Sequence, residues 1–256
     1  MTGLALALHQ FRYDQKIFWR NPASVFFTVM FPVMFLVLLG VIVNGETIHS
    51  LGGIEATTYF VPGVITLAVV SATTVNLAMS LTILREGGIL KRLRGTPLPS
   101  WVFIAGRIGN AIVTALLMFV LVTALGRILF GVAVPWSRLG ALLVTLAVGS
   151  ASFCALGVAL TTIIPSRESA PAITNMIVFP LYFVSGVFIP ESEIPSGVLH
   201  VADVFPVRHL FDALLTGFDP ATAGAGFQLG NLAVVAAWGL AGLALAVRRF
   251  RWEPRI

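Results

Sequence analysis

The most distinctive charged segment of the chain runs from Arg85 to Ser100 and reads REGGILKRLRGTPLPS. Glycines on both sides of residues 89–93 predict a helix of about one turn between them. Leucines alternate with the basic side chains here, so the turn combines apolar and charged surface. A small amphipathic helix of this kind suits docking into the groove of a partner protein, whereas a segment that only fixed membrane topology would need the charges alone.

Patterns typical of catalysis or metal binding are missing from the rest of the sequence. No Gly-Lys dipeptide occurs, so there is no P-loop to hold nucleotide phosphates, and we expect the chain not to hydrolyse ATP. The four histidines lack ligand spacing, and the single cysteine, Cys154, lies in a hydrophobic run. The hydrophobic runs contain neither a paired acid and base nor a carboxylate for ion coupling. We therefore expect no catalytic residue, metal or cofactor in this chain.

The composition of the chain indicates whether water or lipid surrounds the folded protein. Of the 256 residues, 57% are hydrophobic and 11% are charged, whereas an ordinary soluble domain carries about 25% charged residues. So little polar surface could not cover a globule in water, and most of the outer surface must face lipid. The net charge of +5 would suit nucleic acid only on a soluble fold with a basic face, so we expect no nucleic-acid partner.

Six runs are long enough for membrane-spanning helices of about 20 residues. They lie at residues 24–43, 59–84, 101–126, 139–164, 169–189 and 225–247. The third run contains one charge, Arg107, near enough to its end for the side chain to reach the membrane interface. The sequence therefore predicts an all-α polytopic membrane protein with six transmembrane helices in a single domain.

The distribution of Lys and Arg predicts the orientation of these helices. Twelve basic residues lie in the N-terminal segment, the second-to-third and fourth-to-fifth connections and the C-terminal tail, and three lie in the other connections. Cytoplasmic connections carry the excess of basic residues. Both termini are therefore expected in the cytoplasm, in a multi-pass protein of the plasma membrane.

The segment before the first span, residues 4–20, sorts into two faces at about 100° per residue. Arg12, Lys16 and Arg20 fall in one stripe, and Asp14 interrupts the largely apolar opposite side. This pattern predicts an amphipathic helix lying along the cytoplasmic leaflet. The alternative is a basic flank that only sets topology.

The connection at residues 190–219 is long for a simple loop. Pro206 can open a helix and Gly217 can close one, with apolar residues at helical spacing between them. We expect an extracellular re-entrant segment with a short helix before the last span.

Four ordered segments give the chain a resemblance to a known family. They are the N-terminal segment followed by RNPASVFFTVMFPVMFLVL from Arg20, the REGGILKRLRGTPLP loop, FPLYFVSGVFIP from Phe179, and FPVRHLFDAL from Phe205. Together they cover nearly the whole chain, which resembles the permease subunits of type II ATP-binding-cassette exporters, including antibiotic-resistance permeases and relatives of the G subfamily. The resemblance implies a half-transporter in which two six-span subunits pair. Each would be bound to a separate nucleotide-binding ATPase subunit that holds ATP and Mg.

The resemblance also implies that the loop after the second span couples the chain to the ATPase subunit, with Leu90 and Leu93 as apolar contacts. The coupling residues expected on this basis are Arg85, Glu86, Ile89, Leu90, Lys91, Arg92, Leu93, Arg94, Gly95, Thr96 and Pro97. The N-terminal helix resembles the connecting helix of the family, which packs against the ATPase subunit and the end of the second span. We therefore hypothesise that Glu86 pairs with Arg12 or Lys16.

By the same resemblance, the fifth span and the outer helix form the external gate and its lid. Candidates for an apolar constriction are Phe179, Phe183 and Phe188, and candidates for the translocation cavity are Asn76, Asn175 and Tyr182. Polar side chains within spans also serve helix packing, which is the alternative for each of the last three.

The predicted function is outward export of a hydrophobic or amphipathic molecule, such as a drug or a lipid-like compound, driven by a partner ATPase. The alternative is a membrane-embedded scaffold or assembly factor without transport activity. The sequence leaves the substrate and the choice between homodimer and heterodimer open, because an apolar cavity accepts many molecules with few diagnostic polar groups.

Overall fold

The computed structural model describes residues 3–48, 53–95 and 99–254, most of which are helical. The helices are α1 Gly3–Trp19, α2 Pro22–Val25, α3 Phe31–Ile42, α4 Ala56–Val70, α5 Asn76–Glu86, α6 Ile89–Arg94, α7 Ser100–Phe130, α8 Leu139–Leu160, α9 Ala170–Val184, α10 Ser196–Ala202, α11 Pro206–Phe218 and α12 Leu229–Arg249. The shorter elements are π-helical turns at Phe26–Met30 and Ser71–Val75, 3-10 turns at Trp136–Arg138 and Glu191–Glu193, and an antiparallel pair of two-residue strands, β1 Thr47–Ile48 and β2 Ile54–Glu55.

Four of the described helices are long and apolar enough to cross a membrane. They are Ala56–Glu86, Trp101–Phe130, Trp136–Leu160 and Leu229–Arg249. The first of these consists of α4 and α5, which the π-helical turn between them joins into one rod. Two shorter apolar helices, Thr28–Ile42 and Ala170–Val184, lie where the first and fifth spans were predicted. The helical membrane fold is thus confirmed, and the count of six spans stays a prediction.

The helix in the fifth predicted span ends earlier than the hydrophobic run suggests. α9 stops at Val184, whereas the run continues to residue 189. Gly186 has a φ of +79°, a left-handed conformation that breaks the helix, and its carbonyl accepts a 2.6 Å hydrogen bond from the Tyr59 hydroxyl. Hydropathy does not register this break, because the residues that follow it are also apolar. The helix predicted from Pro206 is confirmed as α11.

α4 lies at the centre of the bundle, and all 15 of its residues are buried. It packs against α3, α7 and α11. α8 lies along α12, and a Cβ atom added at Gly239 of α12 would lie 2.7 Å from the Cα of Ser152 of α8. Small residues at such contacts let two membrane helices pack backbone to backbone.

The exposure of side chains is inverted relative to a water-soluble protein. Apolar residues along the helices are open, as at Met176 (71% exposed) and Val247 (78%). Charged residues are buried, as at Asp14 (3%) and Arg85 (1%). A lipid-facing exterior accounts for both observations.

Polar groups gather at the two ends of the bundle. We call the end formed by residues 85–95, 161–169 and 248–254 the basic end; the Arg85 to Thr161 hydrogen bond and the Phe103–Trp252 ring contact hold it together. We call the end formed by residues 131–138, 185–205 and 219–228 the opposite end.

Candidate functional site

α6 is the centre of the predicted coupling loop, and it has a buried side and an exposed side. Gly88, with a φ of +69°, provides the left-handed turn from which α6 starts. Leu90 is fully buried in a small core cluster with Leu77, Leu81 and Phe103. The exposed side carries Ile89, Lys91, Arg92 and Gly95, and Leu93 is half-buried. The expectation that Leu90 contacts a partner is therefore corrected: its side chain anchors α6 to the bundle.

Arg85 lies at the start of this loop and its side chain is almost completely buried. Its Nη1 and Nη2 donate hydrogen bonds to the carbonyls of Thr161 and Ile164, each at 2.6 Å, and its Nε donates to the carboxylate of Glu86 at 2.6 Å. The two carbonyls follow the last turn of α8, where helical carbonyls lack intrahelical partners and a cation is favoured by the helix dipole. Arg85 therefore joins the loop to the end of α8 and is not part of the exposed surface.

The structure does not show the pairing hypothesised for Glu86. Its carboxylate forms an ion pair with the adjacent Arg85, and within the described residues no ion pair joins it to Arg12 or Lys16. The reason is the position of α1, which packs mainly against α7.

α1 presents its basic stripe to the outside and buries its one acid. Arg12, Lys16 and Arg20 are all exposed, as an amphipathic helix requires. Asp14 is buried against α7, where its Oδ1 lies 3.3 Å from the Nε of Arg107. The sequence contained a signal for this pair, since each residue is a charge out of place, one on an apolar helix face and the other inside a predicted span.

Part of the predicted coupling loop falls outside the described structure. Thr96 and Pro97 lie outside the described residues, and the side chain of Arg94 is not described either.

The structure brings together most of the aromatic residues predicted for the gate. Phe188 contacts Phe183 and Tyr182, with ring centroids 5.1 and 6.2 Å apart, and reaches Phe35 of α3 at 4.9 Å. Phe179 lies 6.4 Å from Tyr182 and, like Phe183, is about half exposed. Phe179, Tyr182 and Phe183 thus form an aromatic group on α9 that is open on one side, and Phe188, beyond the end of α9, links this group to α3.

The three polar residues predicted for the cavity do not share one site. Tyr182 is fully buried, and its hydroxyl lies 3.3 Å from both Ser71 Oγ and the carbonyl of Leu67, so it ties α9 to the rod of α4 and α5. Asn76 lines a pocket beside α1 together with Asp14 and Arg107. Asn175 is half-buried on α9. Helix packing accounts for Tyr182, as the alternative had it.

At the opposite end, Arg208 of α11 is surrounded by carboxylates that the sequence reading missed. Its Nη2 lies 3.0 Å from Glu191, and its Nε lies 2.8 Å from Asp203 and 3.8 Å from Asp212. His209 is bonded to the Asp203 carbonyl at 2.7 Å. One signal was available, since Asp212 follows Arg208 by one helical turn.

The surplus of negative charge around Arg208 affects the ionisation of Asp212. Burial, and after it the charge of Glu191, raises the pKa of Asp212 from 3.8 to about 7, against the opposing influence of Arg208. This carboxyl therefore titrates near neutral pH.

A second arginine at the opposite end binds only backbone oxygens. Arg138 donates from Nη1 to the carbonyls of Asp219 at 2.5 Å and Gly217 at 3.5 Å, and from Nη2 to the carbonyl of Thr222. It fixes the connection between α11 and α12 to the start of α8.

The fold and these contacts define a helical membrane domain with an amphipathic helix at its N-terminus and a basic helical loop anchored between two long helices. Residues 10–218 match the family model described as ABC-2 type transporter, and the chain belongs to this family. It is similar to the inner membrane transport permease YadH of Escherichia coli strain K12, with 23% identity over 194 residues that cover 75% of each chain. The YadH proteins of Escherichia coli O157:H7 and Shigella flexneri match to the same extent. The chain is therefore a transmembrane subunit of an ABC transporter and a multi-pass membrane protein.

Proposed function

We propose that this chain exports a hydrophobic or amphipathic molecule by alternating access, driven by a separate ATPase subunit that docks on α6. Family membership implies an ATP-binding partner in the transporter. The proposal places the basic end and both termini in the cytoplasm, in line with the distribution of basic residues.

The observation that carries the proposal is the two-sided attachment of α6. Its exposed side offers one apolar side chain, Ile89, next to the cations Lys91 and Arg92, which suits a groove with acidic rims on a partner. Its buried side is held by Leu90, and the preceding Arg85 is bonded to the end of α8. A push on α6 would therefore move α5 and α8 with it.

The open aromatic group on α9 supports the choice of substrate class. Met176, Phe179 and Phe183 present apolar surface along one face of the helix. Such a face can contact a hydrophobic molecule or the matching helix of a second permease subunit, so we place the substrate pathway and the gate here, between two paired chains.

A reconstitution experiment tests the docking surface. The chain is co-expressed with the ATPase subunits of its own genome that contain Gly-x-x-x-x-Gly-Lys-Ser/Thr, purified, and assayed for ATP hydrolysis in proteoliposomes. The double variant Lys91→Glu, Arg92→Glu should lower recovery of the complex at least about tenfold, since it reverses charge across the contact. The matched control is Arg248→Glu, Arg249→Glu, which alters two exposed cations at the same end, on α12.

Each result decides between docking and its alternatives. Loss of the complex in the α6 variant, with the α12 variant unchanged, supports the proposal. An intact, fully active complex in the α6 variant overturns it. ATP-dependent uptake of amphipathic dyes into inside-out vesicles tests the direction of transport. If no ATPase subunit co-purifies with the chain and the vesicles take up no dye, the scaffold alternative is favoured.

A further inference from the structure

A small polar pocket of about 70 Å³ lies where α1, the π-helical turn Ser71–Val75, α5 and α7 meet. Six of the residues that line it are Asp14, Ala72, Asn76, Ser80, Arg107 and Asn110. Phe18 of α1 and Leu77 of α5, both buried, are also in its wall. Polar atoms that are buried in such a pocket need hydrogen-bond partners.

The polar atoms of this pocket are only partly satisfied by the protein. Asp14 Oδ1 has two long contacts, both 3.3 Å, to Gln10 Nε2 and Arg107 Nε. Asp14 Oδ2, Arg107 Nε and Asn110 Oδ1 are buried without a hydrogen-bond partner among the described residues. Asp14 is 3% exposed and Asn110 is 8% exposed, so bulk water does not reach them. Leaving such groups unsatisfied is costly.

The hydrogen-bonding needs of these unsatisfied atoms indicate what kind of ligand the pocket can bind. Two of them are acceptors that need a donor, and Arg107 Nε is a donor that needs an acceptor, so a bound molecule must offer both functions. The pocket is too small for a lipid headgroup but has room for about two water molecules of roughly 30 Å³ each. We propose that this pocket binds structural water, and that the hydrated pair of Asp14 and Arg107 locks α1 onto α7.

The lock has a consequence for coupling, and this step rests on the proposed function. α1 carries the exposed cations Arg12, Lys16 and Arg20, and it packs on α7, the helix that also supplies Phe103 to the cluster around Leu90 of α6. Burial raises the pKa of Asp14, and the charge of Arg107 and the hydrogen bond from Gln10 oppose that rise. A contact held by water and two long polar contacts can loosen and re-form as α6 moves, while the apolar contacts of Phe18 remain.

Removal of one pocket acceptor tests the water. Asn110→Leu keeps the branching and the number of heavy atoms of the side chain and replaces Oδ1 and Nδ2 with methyl groups. If water bridges the pocket, this change removes a bridge, and the thermal unfolding midpoint falls by several degrees. If the pocket is dry, it removes an unsatisfied group, and the midpoint rises. The control is Thr114→Val, one turn further along α7, whose hydroxyl bonds within its own helix to the Asn110 carbonyl at 2.9 Å. A midpoint of Asn110→Leu at or above wild type, with the control near wild type, overturns the water site.

A distance measurement tests the lock without any ATPase subunit. Spin labels are placed at Tyr13→Cys on α1 and Ile128→Cys near the far end of α7, both exposed, in a Cys154→Ala background. The protein is reconstituted in phosphatidylcholine–phosphatidylglycerol nanodiscs, and the interspin distance is measured by pulsed electron resonance. We expect one narrow distribution, broadening in Asp14→Ala and in Arg107→Ala, and recovery of most of the narrow distribution in the charge swap Asp14→Arg, Arg107→Asp.

The control for this measurement is Arg12→Ala, on the exposed face of α1, which should leave the distribution narrow. Narrow distributions in both single variants, or no recovery in the swap, overturn the lock. Because no partner is present, these outcomes are independent of whether the transport proposal holds.

Discussion

The two ends of the bundle use buried arginines in opposite ways. At the basic end, Arg85 binds the carbonyls of Thr161 and Ile164 and a single carboxylate. At the opposite end, Arg208 lies among three carboxylates, two of which are more than a third exposed. The first arrangement has neutral backbone partners in a fixed geometry. The second has more negative than positive charge and a partly wet surround.

Because of this difference, we call Arg85 with its partners the rigid joint and Arg208 with its three carboxylates the adjustable joint. Backbone carbonyls do not titrate, and a guanidinium stays charged wherever carboxylates ionise, so the contacts of Arg85 are constant over the working pH range. The contacts of Arg208 depend on the ionisation of its neighbours. We therefore expect the contacts of Arg85 to transmit a movement of α6 to α8 unchanged. We expect the contacts at the opposite end to change with the ionisation of the acids around Arg208.

The largest effect is expected at the rigid joint. Arg85→Ala removes the buried guanidinium that binds the carbonyls of Thr161 and Ile164 and the Glu86 carboxylate, and should cost about 3–5 kcal/mol of stability. The lone cysteine, Cys154, is buried, so its reaction with a thiol-reactive dye during heating reports unfolding. Arg85→Lys keeps the charge but loses the several donors of the guanidinium. Its unfolding midpoint should lie between those of the wild type and Arg85→Ala. A wild-type midpoint for Arg85→Ala would show that the carbonyls have other partners.

A smaller effect is expected at the carboxylate cluster. Arg208→Ala removes the cation that offsets Glu191, Asp203 and Asp212 and should cost about 2 kcal/mol. Exposure of the acids limits the loss through solvent screening. Added salt should reduce the loss in this variant and leave that of Arg85→Ala nearly unchanged, measured by the same dye assay. Equal salt dependence of the two variants would contradict the comparison.

Arg138 tests whether the kind of hydrogen-bond partner, or the end of the bundle, determines how an arginine contact responds to pH. It lies at the opposite end but binds carbonyls, and its side chain is only partly buried. Arg138→Ala should cost about 1–2 kcal/mol, with a loss that is insensitive to pH between 5 and 8. A loss that varied with pH as strongly as that of Arg208→Ala would show that the end, and not the partner, determines the response.

The smallest effect is a pH dependence from Asp212. Because its pKa in the folded protein, about 7, lies above the ordinary 3.8, the folded state binds the proton more tightly. The resulting stabilisation is complete below about pH 4, decreases as the pH rises towards 7, and is absent above that. Asp212→Asn should remove this decrease and raise the unfolding midpoint at pH 8 by about 2–4 °C. A decrease of the same size in the variant would assign the titration to another group.

The sequence was sufficient for features that repeat along the chain. The helical membrane fold, the amphipathic character of α1 and the helix at Pro206 follow from periodicity and from capping residues, which act locally. Whether Glu86 reaches Arg12 or Lys16 could not be predicted, because their separation depends on how α1 is packed. That packing includes the contact between Asp14 and Arg107, which lie far apart in sequence.

The burial of single residues was the second feature that could not be predicted from the sequence. Leu90 and Leu93 look equivalent in the sequence, yet Leu90 is fully buried and Leu93 only partly. Which leucine faces inward depends on the turn at Gly88 and on the cluster around Phe103, neither of which hydropathy encodes. The same holds for Tyr182, whose neighbours come from the rod of α4 and α5.

Site-specific cross-linking to the ATPase subunit tests the central claim most directly. Ile89→Cys and Ile128→Cys, both exposed and at different ends, are made in the Cys154→Ala background. Each cysteine is labelled with a maleimide that carries a benzophenone, which needs no cysteine on the ATPase subunit, and the purified complex is irradiated. A cross-link to the ATPase subunit from residue 89 and none from residue 128 is the predicted result. A cross-link from residue 128, or none from residue 89 while the complex stays intact, would contradict docking on α6.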